Sequence, residues 1–313
     1  MFSKNLAMIL STTLMYSTPL IFTSLGGVFS ENAGVVNIGL EGMMTIGAFA
    51  GAAAAVMTGN PWIAFLVAGI AGGMFALLHA IATIKFNADH VVSGIAINFL
   101  APGFALFLCR RLFDGSTMTP PMQLTQKMPR PLNGIFAKGS FMDIVFNTYS
   151  TVYIAFALVL ITWFILYKTK LGLRIRAVGE HPKAADTLGI NVYKMKYLCV
   201  VLSGVLAGFG GASMSLAIVS TFRPTLISGQ GYIALAAVIF GKWKPQGAML
   251  ASLLFGASTG LVVFLGNPSV GFSVSENLLS MVPYLITLIV LVLFVGKGNG
   301  PAANGQIYEK GER

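Results

Sequence analysis

Long apolar runs separated by short polar breaks dominate the chain, and several approach the ~20 residues that a helix needs to cross a bilayer. Nine such runs lie near 7–28, 34–57, 61–85, 91–113, 145–167, 196–219, 226–242, 246–266 and 279–296. The pattern predicts an all-α polytopic membrane protein with about nine transmembrane helices, eight to ten allowing for boundary error. Residues 1–313 read as a single transmembrane domain, because no stretch is left over for a separate soluble one. The first run follows one basic residue, Lys4, and contains Pro19 but no small-residue cleavage site. It reads as a retained first span rather than a signal peptide.

Glycine is the second theme of the pattern, with 36 copies. Gly34, Gly39, Gly42, Gly47 and Gly51 punctuate the run at 34–57, so a break in that helix is expected. Gly47/Gly51, Gly69/Gly73, Gly204/Gly208 and Gly256/Gly260 stand four apart within apolar runs, a spacing that lets neighbouring backbones approach closely in lipid. There is also an internal echo. Asn37-Ile-Gly-Leu-Glu-Gly42 resembles Tyr232-Ile-Ala-Leu-Ala-Ala237, and the Pro61-Trp62 break resembles Trp243-Lys244-Pro245. The second set lies five spans after the first, an odd offset, so the pair predicts an inverted repeat of the kind whose interface near mid-membrane holds transporter sites.

Composition supports the membrane reading. Hydrophobic residues make up 56% and charged residues only 10% of the chain, against about 25% charged in ordinary soluble domains. The net charge of +10 does not point to nucleic acid, because the basic residues gather in loops beside apolar runs, where topology and anionic lipid account for them. Seven of the 20 basic residues fall in one stretch, 168–196, so the positive-inside tendency places that loop in the cytoplasm. Strict alternation then puts Lys85, Lys242, Lys244, Lys297, Lys310 and Arg313 on the same side, with the amino terminus outside and the carboxyl terminus inside. Within the loop, GEHPKAADTLGI predicts a short helix: Glu180 opens the segment, Pro182 suits a first turn, Ala184 and Ala185 favour helix, and Gly189 can end it. The stretch 114–144, rich in Pro, Gly and Met, is expected to be an external loop, either a cap on the bundle or a docking surface. Residues 297–313 are Gly-rich and charged, which predicts a flexible tail.

No catalytic constellation is evident. His79, His90 and His181 are scattered, no HExxH or nucleophile elbow occurs, and a GxxxxGK[ST] phosphate loop is absent. Cys109 and Cys199 lack CxxC spacing. The sequence therefore predicts neither an enzyme, nor a metal site, nor a bound cofactor. Glu41 is the outlier, since a carboxylate near the centre of a span costs roughly 2.5–3.5 kcal/mol and must face the bundle interior, a cavity or a partner. Asn37, Thr45, Asn98 and Ser93 are candidates to share that interior. Three roles stand open for Glu41: capping a broken helix, lining a solute path with Asn37, Thr45 and Asn98, or relaying protons. The lack of a second mid-membrane acid counts against the last. Asp89 and His90 read as solvated turn residues; Phe99, Phe104, Phe107, Trp163 and Tyr232 are able to stack on a planar solute, but lipid-facing or core packing explains most of them.

The segments Gly34-Val-Val-Asn-Ile-Gly-Leu-Glu-Gly-Met-Met-Thr-Ile-Gly-Ala-Phe-Ala-Gly51 and Gly231-Tyr-Ile-Ala-Leu-Ala-Ala-Val-Ile-Phe-Gly-Lys-Trp-Lys-Pro245 resemble the inner-membrane permease subunits of bacterial ABC importers. That family takes in ribose, branched-chain amino acid and nucleoside permeases. IALAAVIFGKWKPQGA looks most like the nucleoside branch. The likeness extends over roughly 7–296. Glu180-x3-Ala184-Ala185-x3-Gly189 resembles the E-A-A-x3-G element by which importer permeases engage their ATPase, although here three residues separate the glutamate from the alanine pair. The resemblance implies a multi-pass permease of the bacterial inner membrane. It also implies an ABC ATPase subunit that binds the ATP, a second permease chain that in this branch is often a different one, and an extracellular substrate-binding lipoprotein that delivers a nucleoside. A ribose or other small-sugar importer is the nearest alternative, and an ion-coupled secondary transporter using Glu41 is the alternative from another class.

Replacing Glu180, Ala184 or Gly189 by bulky residues is expected to uncouple ATP hydrolysis from uptake while the chain still folds in the membrane. Uptake unaltered in all three variants would remove the loop from the mechanism.

Overall fold

The computed structural model describes residues 2–266 and 300–310, with isolated positions between 281 and 292. The expected span at 279–296 therefore lies largely outside the described residues. In chain order the α-helices are α1 Phe2–Asn32, α2 Leu40–Thr58, α3 Pro61–Ala80, α4 His90–Leu112, α5 Phe141–Phe146, α6 Ser150–Lys168, α7 Lys170–Glu180, α8 Pro182–Thr187, α9 Val192–Ser213, α10 Gln230–Phe240 and α11 Pro245–Leu265. Two of them continue into π-helical turns, α3 over Ile81–Lys85 and α9 over Met214–Val219. Every regular element among the described residues is helical, and seven helices are long and apolar enough to cross a membrane.

Local chemistry accounts for several of the boundaries. Pro61 opens α3 behind Asn60, whose side-chain oxygen accepts from the Trp62 and Ile63 amides. Asp89 does the same for Val91 and Val92 at the start of α4, so it is a helix cap rather than a plain turn residue. His90, expected in solvent, is buried, and its Nδ1 accepts from the Val36 amide at 3.3 Å. The expected break in 34–57 is present: residues 33–39 leave the helical path and α2 starts only at Leu40.

α1 and α9 form the centre of the bundle. α9 runs along α1, α2 and α3, while α1 also packs on α10 and α11. Small residues make this possible. A Cβ built on Gly47 would lie 2.4 Å from the Gly208 Cα, one on Gly72 would lie 2.2 Å from the Gly204 carbonyl oxygen, and one on Gly26 would lie 2.5 Å from the Ser203 carbonyl oxygen. The backbones touch where side chains would hold them apart, which in lipid supplies dispersion and packing that the hydrophobic effect cannot. Not every predicted small pair meets backbone. Gly69 and Gly73 receive the side chains of Phe209 and Val205, whereas Gly256 lies against Ser17.

The two faces of the bundle follow from contacts. On one lie α7, α8, segment 300–310, the α1 end, the turn at Lys85–Asn87 and the Lys242–Lys244 turn, joined by bonds such as Ala303 N to Gly179 O (2.9 Å) and Asn87 Nδ2 to Glu309 Oε1 (2.8 Å). This is the basic face, the one on which the expected cytoplasmic loop 168–196 lies. On the other, residues of 114–144 are laid across the end of α9: Met122 N donates to Ser220 O at 2.9 Å and Met128 N to Leu216 O at 3.2 Å, with both methionine side chains buried. That loop caps the bundle and carries the short helix α5.

Three expectations are corrected. The run at 226–242 is not a full helix: α10 has 11 residues and spans only about 16 Å. Its crossing is completed by the irregular stretch 220–229, which starts beside the 114–144 loop and ends at α10 inside the bundle. The loop 168–196 contains an additional amphipathic helix, α7, and Glu180 is its last residue instead of the opening of α8. The segment expected as part of a flexible tail is packed over 300–310, because it completes hydrogen bonds that the helix ends beneath it leave open.

Gly72→Ala forces a methyl group against the Gly204 carbonyl, whereas Gly103→Ala in α4 meets nothing within 4 Å. G72A is expected to lose about 1–3 kcal/mol of stability to overpacking and G103A none, measured as thermal unfolding in detergent.

Candidate solute path and coupling surface

Two helices begin inside the bundle, and their amino-terminal ends meet. α2 starts at Leu40 after the irregular stretch 33–39; α10 starts at Gln230 after the irregular stretch 220–229. α2 then runs toward the face capped by 114–144 and α10 toward the basic one. The two segments that resemble each other in sequence, Asn37–Gly42 and Tyr232–Ala237, are thus at or beside the meeting point and run in opposite directions, as an inverted repeat requires.

Glu41 joins the two ends. It lies in the first turn of α2, and its carboxylate reaches across to α10, accepting from the Gly229 amide at 2.6 Å on Oε1 and from the Gly231 amide at 2.7 Å on Oε2. The first amides of any helix lack intrahelical partners, and negative charge is favoured at that end of the helix dipole. The carboxylate therefore meets both needs of α10 at once. Gly231 is required by the approach, since a Cβ there would lie 2.5 Å from the Glu41 backbone nitrogen. Gly229, at φ 89°, takes a left-handed turn that other residues rarely adopt.

Asn98 ties α4 to the same junction. Its Oδ1 accepts from the Gly42 amide at 2.8 Å, and its Nδ2 donates to the Ile38 carbonyl and to the Tyr232 hydroxyl, both at 2.9 Å. Eight residues separate Asn98 from His90 at the start of α4, about 12 Å along the helix and so well inside a bilayer. This polar group is open on one side: Tyr232 is 48% exposed and Phe99 79%. Polar side chains at that depth face a cavity or another protein rather than hydrocarbon.

The other two proposed path residues point elsewhere. Asn37 is fully buried toward α9, where its Nδ2 donates to Ser203 Oγ at 3.0 Å and its Oδ1 has no partner. The Thr45 hydroxyl turns back onto the Glu41 carbonyl at 2.9 Å within α2. Ser93 is engaged by the His79 ring at 2.8 Å, away from the junction. The Tyr232 hydroxyl, considered in the sequence only as a stacking surface, is instead a hydrogen-bonding member of the group.

At the basic surface, α8 projects beside α7. Ala185 is buried in a small apolar cluster with Val178, Val192 and Tyr308, while Ala184 is exposed and Gly189 adopts φ 79° just past the helix. Glu180 is exposed and accepts from the Ala302 amide at 3.3 Å. A cleft of about 440 Å³ opens between the α7–α8 turn and segment 300–310, lined by Glu180, Pro182, Ala184, Ala302 and Ile307 among others. The sequence missed Glu31. It lies past the expected end of the first span yet is buried in the last turn of α1; the only signal was an acid three residues beyond an apolar run.

The family model described as "Branched-chain amino acid transport system / permease component" matches residues 9–291. The nucleoside ABC transporter permease protein NupC of Lactococcus lactis subsp. cremoris is 44% identical, covering 98% of each chain. The guanosine ABC transporter permease protein NupQ of Bacillus subtilis is also 44% identical, again over 98% of each. The putative glucose ABC transporter permease protein TsgC13 of Haloferax volcanii is 36% identical over 90% of each. No solved structure matches the chain.

Glu41→Ala leaves two amides at the start of α10 without acceptors. Each hydrogen bond to a charged group is worth about 1.5–3 kcal/mol, so E41A is expected to lower the unfolding temperature in detergent and abolish uptake, with E41Q, which keeps one acceptor oxygen, falling between it and the parent.

Proposed function

The chain belongs to the permease-component family of the branched-chain amino acid transport system, a multi-pass membrane subunit and not itself an enzyme, and on that premise we propose that it translocates nucleosides as part of an ATP-driven importer. The observation that carries the solute is the 44% identity, over 98% of both chains, to permeases named for nucleosides and for guanosine. The machine sits in the cytoplasmic membrane, and a separate ATPase subunit binds and hydrolyses the ATP.

The geometry supports a division of labour. The junction of α2, α4 and α10 is the solute path: Glu41 and Asn98 hold the two broken crossings together, and the Tyr232 and Asn98 side chains face the open side. Phe99 and the Tyr232 ring offer apolar faces beside hydrogen-bonding groups, a pairing that suits a planar base attached to a hydroxylated sugar. Asn37 and Thr45 support the path from behind. Because the open side is polar at mid-membrane depth, a second permease chain covers it; in this branch that chain is often a different one. A substrate-binding lipoprotein docks on the external face and supplies the nucleoside, with anionic lipid at the basic cytoplasmic rim.

The ATPase acts on α7 and α8. Exposed Ala184 and Glu180, with Gly189 ending the turn, present the coupling surface, while Ala185 roots α8 in the bundle. ATP-driven closure beneath this surface moves α8, and that motion opens the path alternately to the two sides. Both Glu41 oxygens are occupied by backbone amides, an arrangement suited to holding helices and not to relaying coupling ions.

The deciding experiment is uptake of radiolabelled guanosine and ribose into proteoliposomes holding the chain with its copurified partners, with and without internal ATP. ATP-dependent accumulation of guanosine in excess of ribose is expected. Preference for the sugar moves the solute to the class named for the Haloferax relative, and accumulation driven by an ion gradient without ATP overturns the importer reading.

A further inference from the structure

Glu31 is a carboxylate in an unfavourable place. It sits in the last turn of α1, where the helix dipole repels negative charge, and it is only 3% exposed. Two donors from distant parts of the chain compensate it. The Trp243 indole Nε1–H, from the turn between α10 and α11, and the Asn304 amide Nδ2–H at 3.1 Å, from segment 300–310, both donate to the same oxygen, Oε2. Next to it, Asn32 Nδ2 donates to the Trp243 carbonyl at 3.0 Å.

Trp243 is held at considerable backbone cost. Lys242 and Trp243 are consecutive non-glycine residues in the left-handed region, at φ 52° and 55°, each of which costs of order 1–3 kcal/mol unless its surroundings enforce it. The enforcing contacts are the two bonds to α1 and the packing of Gly300 on the indole, where a Cβ would lie 2.9 Å from the ring. Segment 300–310 in turn grips the coupling surface. Ala303 N donates to Gly179 O at 2.9 Å, Ala302 N donates to Glu180, and Lys196 Nζ donates to Gln306 O at 3.4 Å. Gly179 is itself pressed on the end of α1, with a built Cβ 2.1 Å from the Asn32 carbonyl oxygen.

These contacts form one connected chain from the cytoplasmic surface to the solute path. The α7–α8 turn holds segment 300–310; the segment and Trp243 share Glu31; Trp243 ends the turn that follows α10; and α10 starts on Glu41. The short helix is thus tethered at each end by a buried or half-buried carboxylate, one at the coupling side and one at the path. We propose that Glu31, Trp243 and Asn304 are positioning residues that form the mechanical joint transmitting movement of the α7–α8 surface to α10, with segment 300–310 as its link. This rests on the importer reading. The joint works because α10 is only 11 residues long and cannot dissipate the displacement along a full span. When the ATPase moves α8, segment 300–310 moves with Glu180 and Gly179, the shared acceptor carries Trp243, and the amino-terminal end of α10 shifts against Glu41, Asn98 and Tyr232.

The test uses the whole complex in proteoliposomes and reads guanosine taken up per ATP hydrolysed. Trp243→Phe, Glu31→Ala and Asn304→Ala are expected to keep hydrolysing ATP while the ratio falls, by about ten-fold for W243F, the factor that one hydrogen bond to a charged group is worth. Glu31→Gln, which retains an acceptor oxygen, is expected to keep most of the ratio. A purely structural role would reduce the amount of assembled complex without changing the ratio. An unchanged ratio in assembled W243F and N304A overturns the joint; should W243F fail to assemble, N304A, on the outer link, decides in the same way. Failure of the parent complex to accumulate guanosine with ATP sinks the importer reading instead, so the two failures are distinguishable.

Discussion

A helix that starts inside a bilayer must find acceptors for its first amides, and water cannot provide them. Glu41 meets that constraint for α10 with its two oxygens on Gly229 and Gly231. Everything else about the polar junction depends on it. With the carboxylate in place, two irregular stretches, 33–39 and 220–229, can enter the membrane from opposite faces and leave a small polar group at their meeting point. Asn98 then completes the backbone bonding of the first break and ties in Tyr232. Irregular backbone at this depth is tolerated where it lies in protein or beside a cavity, which is why the polar junction and the breaks coincide.

Around this junction the bundle is held by contact without much side chain. α9 can lie against both α2 and α3 because Gly204, Gly208 and Gly211 meet backbone of those helices directly. Such an interface is stiff in the direction that would separate the helices, since close-packed backbones have no soft side chains to yield. α10 is different. It is only 11 residues long, packs Ala234 and Ala237 against Leu20 of α1 and Phe255 of α11, and is tied at its start by Glu41 and beyond its end by the bond of Trp243 to Glu31. A rigid frame with one short tethered element is the arrangement in which a small displacement at the cytoplasmic surface has somewhere to go.

The two buried or half-buried acids invite comparison. Glu41 sits where helix dipoles welcome it, at the starts of both α2 and α10. Glu31 sits where its own helix opposes it, and it depends on Trp243 and Asn304 from elsewhere in the chain. Much of the first acid's position could be read from a glycine-punctuated apolar run with a carboxylate inside it, and its capping role was one of the readings left open. The second could not be read, because its donors lie more than 200 positions away, and a residue just past a span normally belongs to solvent. The same reason hid the packing of 300–310: a Gly-rich, charged stretch has no core of its own, and only the open carbonyls and carboxylates of Gly34, Gly179, Glu31 and Glu180 make it worth ordering.

Helical class, membrane location and the break near Gly39 were set by the sequence alone. Each follows from local quantities: the length of an apolar run and the spacing of glycines. The family likeness was equally local, carried by contiguous segments around Glu41 and Trp243. Only the tertiary structure decided that 226–242 crosses as an irregular stretch plus a short helix, that Asn98 and Tyr232 belong with Glu41 while Asn37 and Thr45 turn away, and that Glu180 closes α7 instead of opening α8. Those outcomes depend on which backbone groups are left unpaired once helices pack, and a partner for such a group can come from any distance along the chain.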